Sequence, residues 1–369
     1  MIELTNADNL WLATLWKKID DKFTVTANTI GNIMPYTTLD GKYIPSKYEG
    51  SSWWTNGFFG GMMWIMYNAT KKNIYKEVAE NQEKLLDDAL EKYDGLHHDV
   101  GFMWGLTSKP QYILTGNRKS RVRALYAANL LAGRVNIKGG FIRAWDLQPS
   151  YSIIDCMMNL PLLYWASREL KDDRFKYIAQ MHADMTMREH VREDGSVVHI
   201  AVHAEDHDEV IETLAGQGYA VGSAWSRGQA WAIYGFILSY IHTADEKYLE
   251  TSKKVADYFL EHSKKSNYKI VADFNAPNEP MYYDNTAGAI AACGLIEIYK
   301  ATVDKKYLNG AIKILKALEE DCIFDESDES ILQNCMESYS AGKEMHIIYG
   351  DFFLCEAILK LRDEEFLIW

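Results

Sequence analysis

Four short segments of this chain resemble one another: KKNIYKEVA (71–79), DDRFKYIAQ (172–180), DEKYLETSK (245–253) and DKKYLNGAI (304–312). Each reads as a turn, a polar helix start and an aromatic that docks inward. Around them lie nearly uninterrupted apolar stretches beginning at Trp53 (WWTNGFFGGMMWIMY), Asp99 (DVGFMWGLTS), Ser152 (SIIDCMMNLPLLYWA), Ser223 (SAWSRGQAWAIYGFILSYI), Asp284 (DNTAGAIAACGLIEIY) and Met345 (MHIIYGDFFLCEAILKL). A helix that is apolar on every face is buried, whereas one with charges opposite an apolar stripe is exposed. Adding the N-terminal segment from Asn6 to about Phe23 and the charged segments near Asn73, Arg118, Asp172, Asp245 and Asp304 gives twelve helical segments, exposed alternating with buried. A repeat of this length means stacked helical hairpins. Six of them close into an all-α (α/α)6 barrel with the buried helices as the inner ring; an open array would need caps at both ends.

No Gly/Ser-rich linker or break in composition divides the 369 residues, so one domain spanning 1–369 is expected. The long polar-aromatic loops (24–52, 94–98, 136–151, 190–222, 264–283, 322–344) all precede inner helices. They therefore gather at one end of the barrel, over the inner-helix N-termini. Loops collected on one face of a rigid scaffold are where binding and chemistry sit, and helix N-termini favour an anionic ligand. The balance of 39 Lys and Arg against 52 Asp and Glu, a net charge of −13, would repel a phosphate backbone or an anionic membrane. Neither nucleic acid nor a membrane is an expected partner. The 5 cysteines (Cys156, Cys293, Cys322, Cys335, Cys355) contain no C-x-x-C pair and read as free thiols in a reducing compartment. With no signal-peptide pattern at the N-terminus and no charge-free span of membrane length, the expectation is a soluble cytoplasmic protein, a monomer or weak homodimer that needs no cofactor.

At the loop end the helices present Trp53, Trp54, Asp99, Asp155, Arg227, Gln229, Trp231 and Asp284, and the loops add Trp145, His199, His203 and Gln217. Tryptophan faces stack on sugar rings, an arginine pairs with a carboxylate and isolated acids transfer protons, so the set describes a carbohydrate site. Asp155 is the one charged residue in its apolar stretch. A buried carboxyl there is a candidate acid, although from this stretch alone a helix cap is the favoured reading, because aspartates that start helices are far commoner than catalytic ones. Asp284, two residues before Thr286, reads more simply as a cap, and Trp53 and Trp54 read as core or as cleft. His199, His203 and His207 suggest a metal, but the flanks match no zinc-ligand pattern and no metal is expected.

Taken in order, HHDVGFMW (97–104), SIIDCMMNLPLL (152–163), SAWSRGQAWAIYGF (223–236) and DNTAGAIAA (284–292) resemble the unsaturated glucuronyl hydrolases, glycoside hydrolase family 88. The resemblance implies an (α/α)6 barrel that removes a 4,5-unsaturated uronic acid from the non-reducing end of lyase-generated oligosaccharides such as glycosaminoglycan fragments, by hydrating the C4=C5 double bond. Carried over by motif, it implies Asp155 as general acid and base and Asp99 as the second carboxylate. It further implies Trp54, Trp145, His199, Gln217, Arg227 and Trp231 as substrate contacts; some members bind sulfated substrates through a late Ser- and Lys-containing loop, and here the segment 335–346 offers Ser338, Ser340 and Lys343. Gly216 offers no arginine where a sulfate-selective member would have one. Two other readings share these residues: an unsaturated rhamnogalacturonyl hydrolase acting on pectin fragments, and a non-catalytic sugar-binding barrel.

Overall fold

The computed structural model describes residues 2–48, 50–204, 209–364 and 366–369. Its helices are α1 (Asn6–Thr29), α2 (Phe58–Thr70), α3 (Asn73–Leu85), α4 (Asp87–Lys92), α5 (Val100–Trp104), α6 (Ser108–Thr115), α7 (Arg118–Gly133), α8 (Leu160–Leu170), α9 (Arg174–Glu189), α10 (Ser226–Thr243), α11 (Glu246–Lys265), α12 (Asn285–Thr302), α13 (Lys305–Glu319) and α14 (Ile348–Leu361). Exposed α1, α3, α7, α9, α11 and α13 alternate with buried α2, α5–α6, α8, α10, α12 and α14, giving six hairpins. In the inner ring α10 touches α8 and α12, α12 touches α14, and α14 packs back on α2. The ring is therefore closed, and the fold is the all-α barrel expected. Among the described residues no helix is long and apolar enough to cross a membrane.

The repeated segments explain how each outer helix is seated. Tyr75, Phe175, Tyr248 and Tyr307 are all fully buried. The Tyr75 hydroxyl donates to Asp20 (2.8 Å) and that of Tyr248 to Asp184 (2.7 Å), tying each helix to the outer helix before it. Asp245 and Asp304 cap α11 and α13 by accepting the backbone N–H of Lys247 and Lys306. Just before these starts, Lys71, Lys171, Ala244 and Val303 take left-handed conformations (φ 60, 54, 56 and 59°) and end the inner helices. Glycine is the usual residue there.

Several elements differ from the sequence expectation. α1 continues to Thr29, because Thr26 and Ala27 extend its buried stripe and no breaker stops it. The segment 73–93 breaks at Leu86 into α3 and α4, and residues 54–57 form a 3-10 turn ahead of α2. The stretch 152–166 is not one helix. Ser152 belongs to a strand, residues 154–158 form a 3-10 turn, and α8 starts at Leu160 with Pro161 in its first turn. Proline lacks the N–H an interior position needs but suits a first turn, so it fixes the helix start there.

The long loops carry seven short strands: β1 (Thr37–Leu39), β2 (Lys42–Ile44), β3 (Val135–Asn136), β4 (Phe141–Ile142), β5 (Tyr151–Ile153), β6 (Ile200–His203) and β7 (Val210–Leu214). β5, β6 and β7 form an antiparallel sheet in that order, with Ser152 opposite Ala201 and Ile153 opposite Ile200. This sheet brings residues 151–155 beside 199–203.

Val303 is β-branched, exposed and in the left-handed region, where an L side chain costs about 1–2 kcal/mol. Val303→Gly should raise stability by about 1 kcal/mol, with glycine's extra unfolded-state entropy limiting the gain. A higher urea midpoint with unchanged m-value would confirm it, and an unchanged or lower midpoint would refute it.

Candidate active site

The turn between β5 and α8 aims Asp155 into the cleft. Its side chain caps neither the 3-10 turn nor α8, and its Oδ2 has no hydrogen-bond partner although the residue is only 8% exposed. The capping reading of Asp155 is therefore excluded. Facing Oδ2 at 3.4 Å is Nε2 of His199, itself buried and unpartnered. His199 is fixed from behind: its Nδ1 accepts the Gln217 backbone N–H (3.0 Å) and lies 3.2 Å from the Ala215 carbonyl, while its ring leans on Trp225. Gly216 makes this contact possible. Its φ is +57°, and a Cβ there would lie 2.1 Å from His199 Nδ1. The position left without a side chain is one where no side chain fits.

Asp99 stands at the start of α5, 7% exposed, and caps nothing there. Asn159 ties it to the Asp155 turn. The Asn159 amide donates to Asp99 Oδ1 (3.0 Å) and to the Asp155 carbonyl (3.4 Å), and its oxygen accepts the Phe102 N–H (2.9 Å). Gly101 leaves room for it, since a Cβ there would fall 2.5 Å from Asn159 Oδ1. Asn159 was not singled out from the sequence. Its only signal was a place inside the MMNLP motif. His98 Nε2 lies 3.2 Å from Asp99 Oδ1 and His97 Nδ1 lies 3.5 Å from Oδ2.

The other expected residues divide into two groups. Trp54, half-buried, packs its ring 5.1 Å from Tyr349 and 5.5 Å from Phe102, and half-buried Trp145 stands edge-on to His98 at 5.8 Å. Gln217 donates to the Glu337 carbonyl (2.7 Å) and accepts the Tyr339 N–H (2.8 Å), which anchors the loop bearing half-buried Ser338 and exposed Lys343 to the site wall. Two residues sit deeper than a cleft contact should. Trp231 has no exposed surface; it packs 5.3 Å from Phe102 inside the barrel, so it supports the cleft floor and presents no ring face to a sugar. Arg227 is 1% exposed and already engaged by Asp284 (2.6 Å), the Glu337 carbonyl (2.6 Å) and the Met336 carbonyl. Burial works against its charge, but the Asp284 carboxylate and more weakly Asp155 hold it above its ordinary range. Asp284 also caps α12 through the Thr286 N–H, as its spacing predicts.

Among the described residues of the histidine-rich tract, His199 and His203 turn to different partners. His199 faces Asp155, His203 bonds Ser152 Oγ (2.8 Å), and His207 lies outside the described residues. Ser152 Oγ also meets His190 Nε2 at 2.8 Å, whose Nδ1 donates to the Val198 carbonyl. This locks the sheet beneath Asp155. Among the described residues one group, His97, His98 and Asp99, has ligand atoms all within 4.8 Å of one another. The nearby Arg134 guanidinium, which donates to the Ala144 carbonyl beside His98, places a positive charge there that opposes a cation.

A buried carboxyl with an unpartnered oxygen, a second carboxyl tied to its turn through Asn159, and two half-buried tryptophans nearby suit proton transfer to a bound sugar. Residues 29–241 match Glycosyl Hydrolase Family 88. The chain belongs to that family. It is 32% identical to an unsaturated glucuronyl hydrolase of Bacillus sp. (strain GL1), over 94% of this chain and 97% of that one. It is 31% identical to an unsaturated chondroitin disaccharide hydrolase of Streptococcus pneumoniae, over 86% and 83% of the two chains. Its fold superposes on the crystal structure of the Bacillus sp. GL1 enzyme with a TM-score of 0.86 at 31% identity, covering 93% and 94%. A glucuronyl hydrolase described as specific for heparin gives 0.88 at 29% identity, covering 96% and 97%. Like other family 88 members, the chain is a glycoside hydrolase.

Two predictions come from this geometry. Burial keeps His97 and His190 down at about 4 and His182 at about 3, so all three are neutral in the fold. Below about pH 6.5, the ordinary imidazole pKa, the unfolded chain binds more protons than the folded one. Stability is therefore full above that pH and lost as pH falls towards 4. Urea midpoints measured from pH 7.5 to 4.5 should fall steadily below 6.5, and a flat profile would contradict the assignment. Gly216→Ala should push His199 away from Asp155. Displacements of about 1 Å at a reacting group cost roughly 10²-fold in rate. Turnover should fall by that order with melting changed by only a few degrees, and wild-type turnover would show that Gly216 leaves His199 indifferent.

Proposed function

We infer that this family 88 hydrolase removes the 4,5-unsaturated glucuronic acid from the non-reducing end of glycosaminoglycan fragments left by polysaccharide lyases, with Asp155 as general acid and base. The observation that carries the reading is the Asp155 carboxyl, buried and capping nothing, with its Oδ2 lacking a hydrogen-bond partner among the described residues and 3.4 Å from His199 Nε2. The chemistry follows from a vinyl ether. Asp155 gives its proton to C4, the ring oxygen supports the cation at C5, and water adds to C5 as Asp155 takes back a proton. The hemiketal opens to a C5 ketone. The C1 hemiacetal this exposes then releases the remaining sugar chain. No bond to the anomeric carbon is displaced by a nucleophile, so a second carboxylate at nucleophilic distance is not needed.

Asp99 holds ring hydroxyls beside the reacting bond. Trp54 and Trp145 flank the sugar, while Gln217 and His199 line the wall behind it. Ser338 and Lys343 meet the next sugar residue. Arg227 acts from below, through the Glu337 carbonyl and the loop it holds. Five free cysteines suit a reducing compartment, and we assign the enzyme to the cytoplasm as a monomer or weak homodimer without a cofactor.

The test is the fall in ultraviolet absorbance when unsaturated disaccharides of chondroitin, hyaluronan, heparin and pectin are incubated with wild type and Asp155→Asn. A general acid contributes about 10²–10⁴-fold, so the variant should lose at least that much in kcat with affinity kept. Decay on the pectin product alone would make the chain a rhamnogalacturonyl hydrolase. A variant as active as wild type would remove Asp155 from the chemistry.

A further inference from the structure

We propose that His98 is a substrate-binding residue whose Nε2 accepts a hydrogen bond from a hydroxyl of the uronic acid ring, beside the hydroxyl taken by Asp99. This rests on the site assignment above and extends it to a residue not expected to act from the sequence. His98 is 1% exposed, and its Nδ1 lies 2.7 Å from the Ala144 carbonyl. A carbonyl oxygen can only accept, so Nδ1 carries the hydrogen and Nε2 of the neutral ring is left as a lone pair. The same carbonyl receives the backbone N–H of His98 (3.3 Å) and a guanidinium N–H of Arg134 (3.4 Å), and Trp145 stands edge-on to the ring. The ring is thus held in one orientation and one tautomer.

Nε2 has no hydrogen-bond partner. It lies 3.2 Å from Asp99 Oδ1, but not along a hydrogen-bond direction, and that oxygen already accepts the Asn159 amide. Protonation would not change this, because the direction of an N–H at Nε2 is set by the ring plane, which the Nδ1 bond to the Ala144 carbonyl fixes. Burial first, and then the neighbouring His97, Arg134 and His182, hold the ring well below the ordinary imidazole range although Asp99 lies beside it. A buried acceptor without a partner costs about 1–3 kcal/mol in the empty enzyme and is satisfied only when a donor arrives. Two acceptors side by side, on a turn that Asn159 ties to the backbone of the Asp155 turn, match a vicinal diol next to the reacting double bond. The C2 and C3 hydroxyls of a 4,5-unsaturated uronate are such a pair. Arg134 argues against the competing use of Nε2 as a metal ligand.

The experiment uses phenyl glycosides of the unsaturated uronic acid, intact or with the 2- or 3-hydroxyl replaced by hydrogen, against wild type, His98→Asn and His98→Gln. Asparagine keeps a donor where Nδ1 stands and removes the acceptor at Nε2, whereas glutamine returns an oxygen near Nε2. For His98→Asn, kcat/KM on the intact glycoside should fall 10- to 100-fold, chiefly through KM, with an unchanged pH profile, and His98→Gln should recover part of it. Wild type should lose a similar factor on one deoxy glycoside, and on that glycoside His98→Asn should lose almost nothing more. An equal loss on all three glycosides would mark His98 as merely structural, and loss of wild-type activity in a chelator would make it a metal ligand; either overturns the proposal. Imidazole 15N shifts of the intact wild-type protein give a reading independent of turnover and of how the variants fold. A protonated Nδ1 and bare Nε2 are expected. An Nε2–H tautomer or an imidazolium would refute the proposal even if the glycosides were substrates, whereas failure of wild type on the intact glycoside would instead remove the functional assignment.

Discussion

The structure depends on the closure of its inner ring, in which α14 packs against α2 and joins residues some three hundred positions apart in sequence. The inner helices α2, α10, α12 and α14 are buried almost all round, so these have no face that water could cover. Phe58 shows the consequence: it is wholly buried and touches Phe102, Tyr349, Phe352 and Phe353 from two other inner helices. Opening the ring at any seam would expose such residues, at about 25 cal/mol for each Å² of apolar surface uncovered. A charged group far from the cleft obeys the same pressure. Lys360 is fully buried but paired with Glu297 at 2.7 Å.

A rigid ring allows the cleft to hold groups that folding alone would not favour. Asp155 Oδ2, His199 Nε2 and His98 Nε2 are buried without partners, an arrangement that costs stability and persists only if surrounding contacts over-determine it. The supports can be named. Asn159 joins the two acid-bearing turns, Ser152 locks two histidines under the sheet, and the Ala144 carbonyl fixes the His98 ring. Arg227, buried between Asp284 and two carbonyls, holds the late loop against the wall formed by Gln217. The catalytic chemistry needs only a few atoms, and most of the polar network around them serves to hold those atoms still.

The sequence by itself determined the architecture. Helical periodicity, the exposed and buried alternation and the four inward-docking aromatics are local properties, readable because a helix face is set by neighbours three and four residues away. The motifs HHDVGF, IIDCMMNLP and WSRGQAW also marked where chemistry would lie. Tertiary structure decided where each marked residue sits and what it touches. Asp155 could read as a cap until the strand pairing of Ser152 with Ala201 and the helix start at Pro161 put it in a turn that caps nothing. Trp231 and Arg227 could read as cleft residues until the closed ring buried them. Asn159, His98 and the need for glycine at 216 were invisible, because each depends on a partner 46 to 60 positions away or on the space beside one ring. Contacts of that range are made only when the ring closes, and a linear pattern carries no record of them.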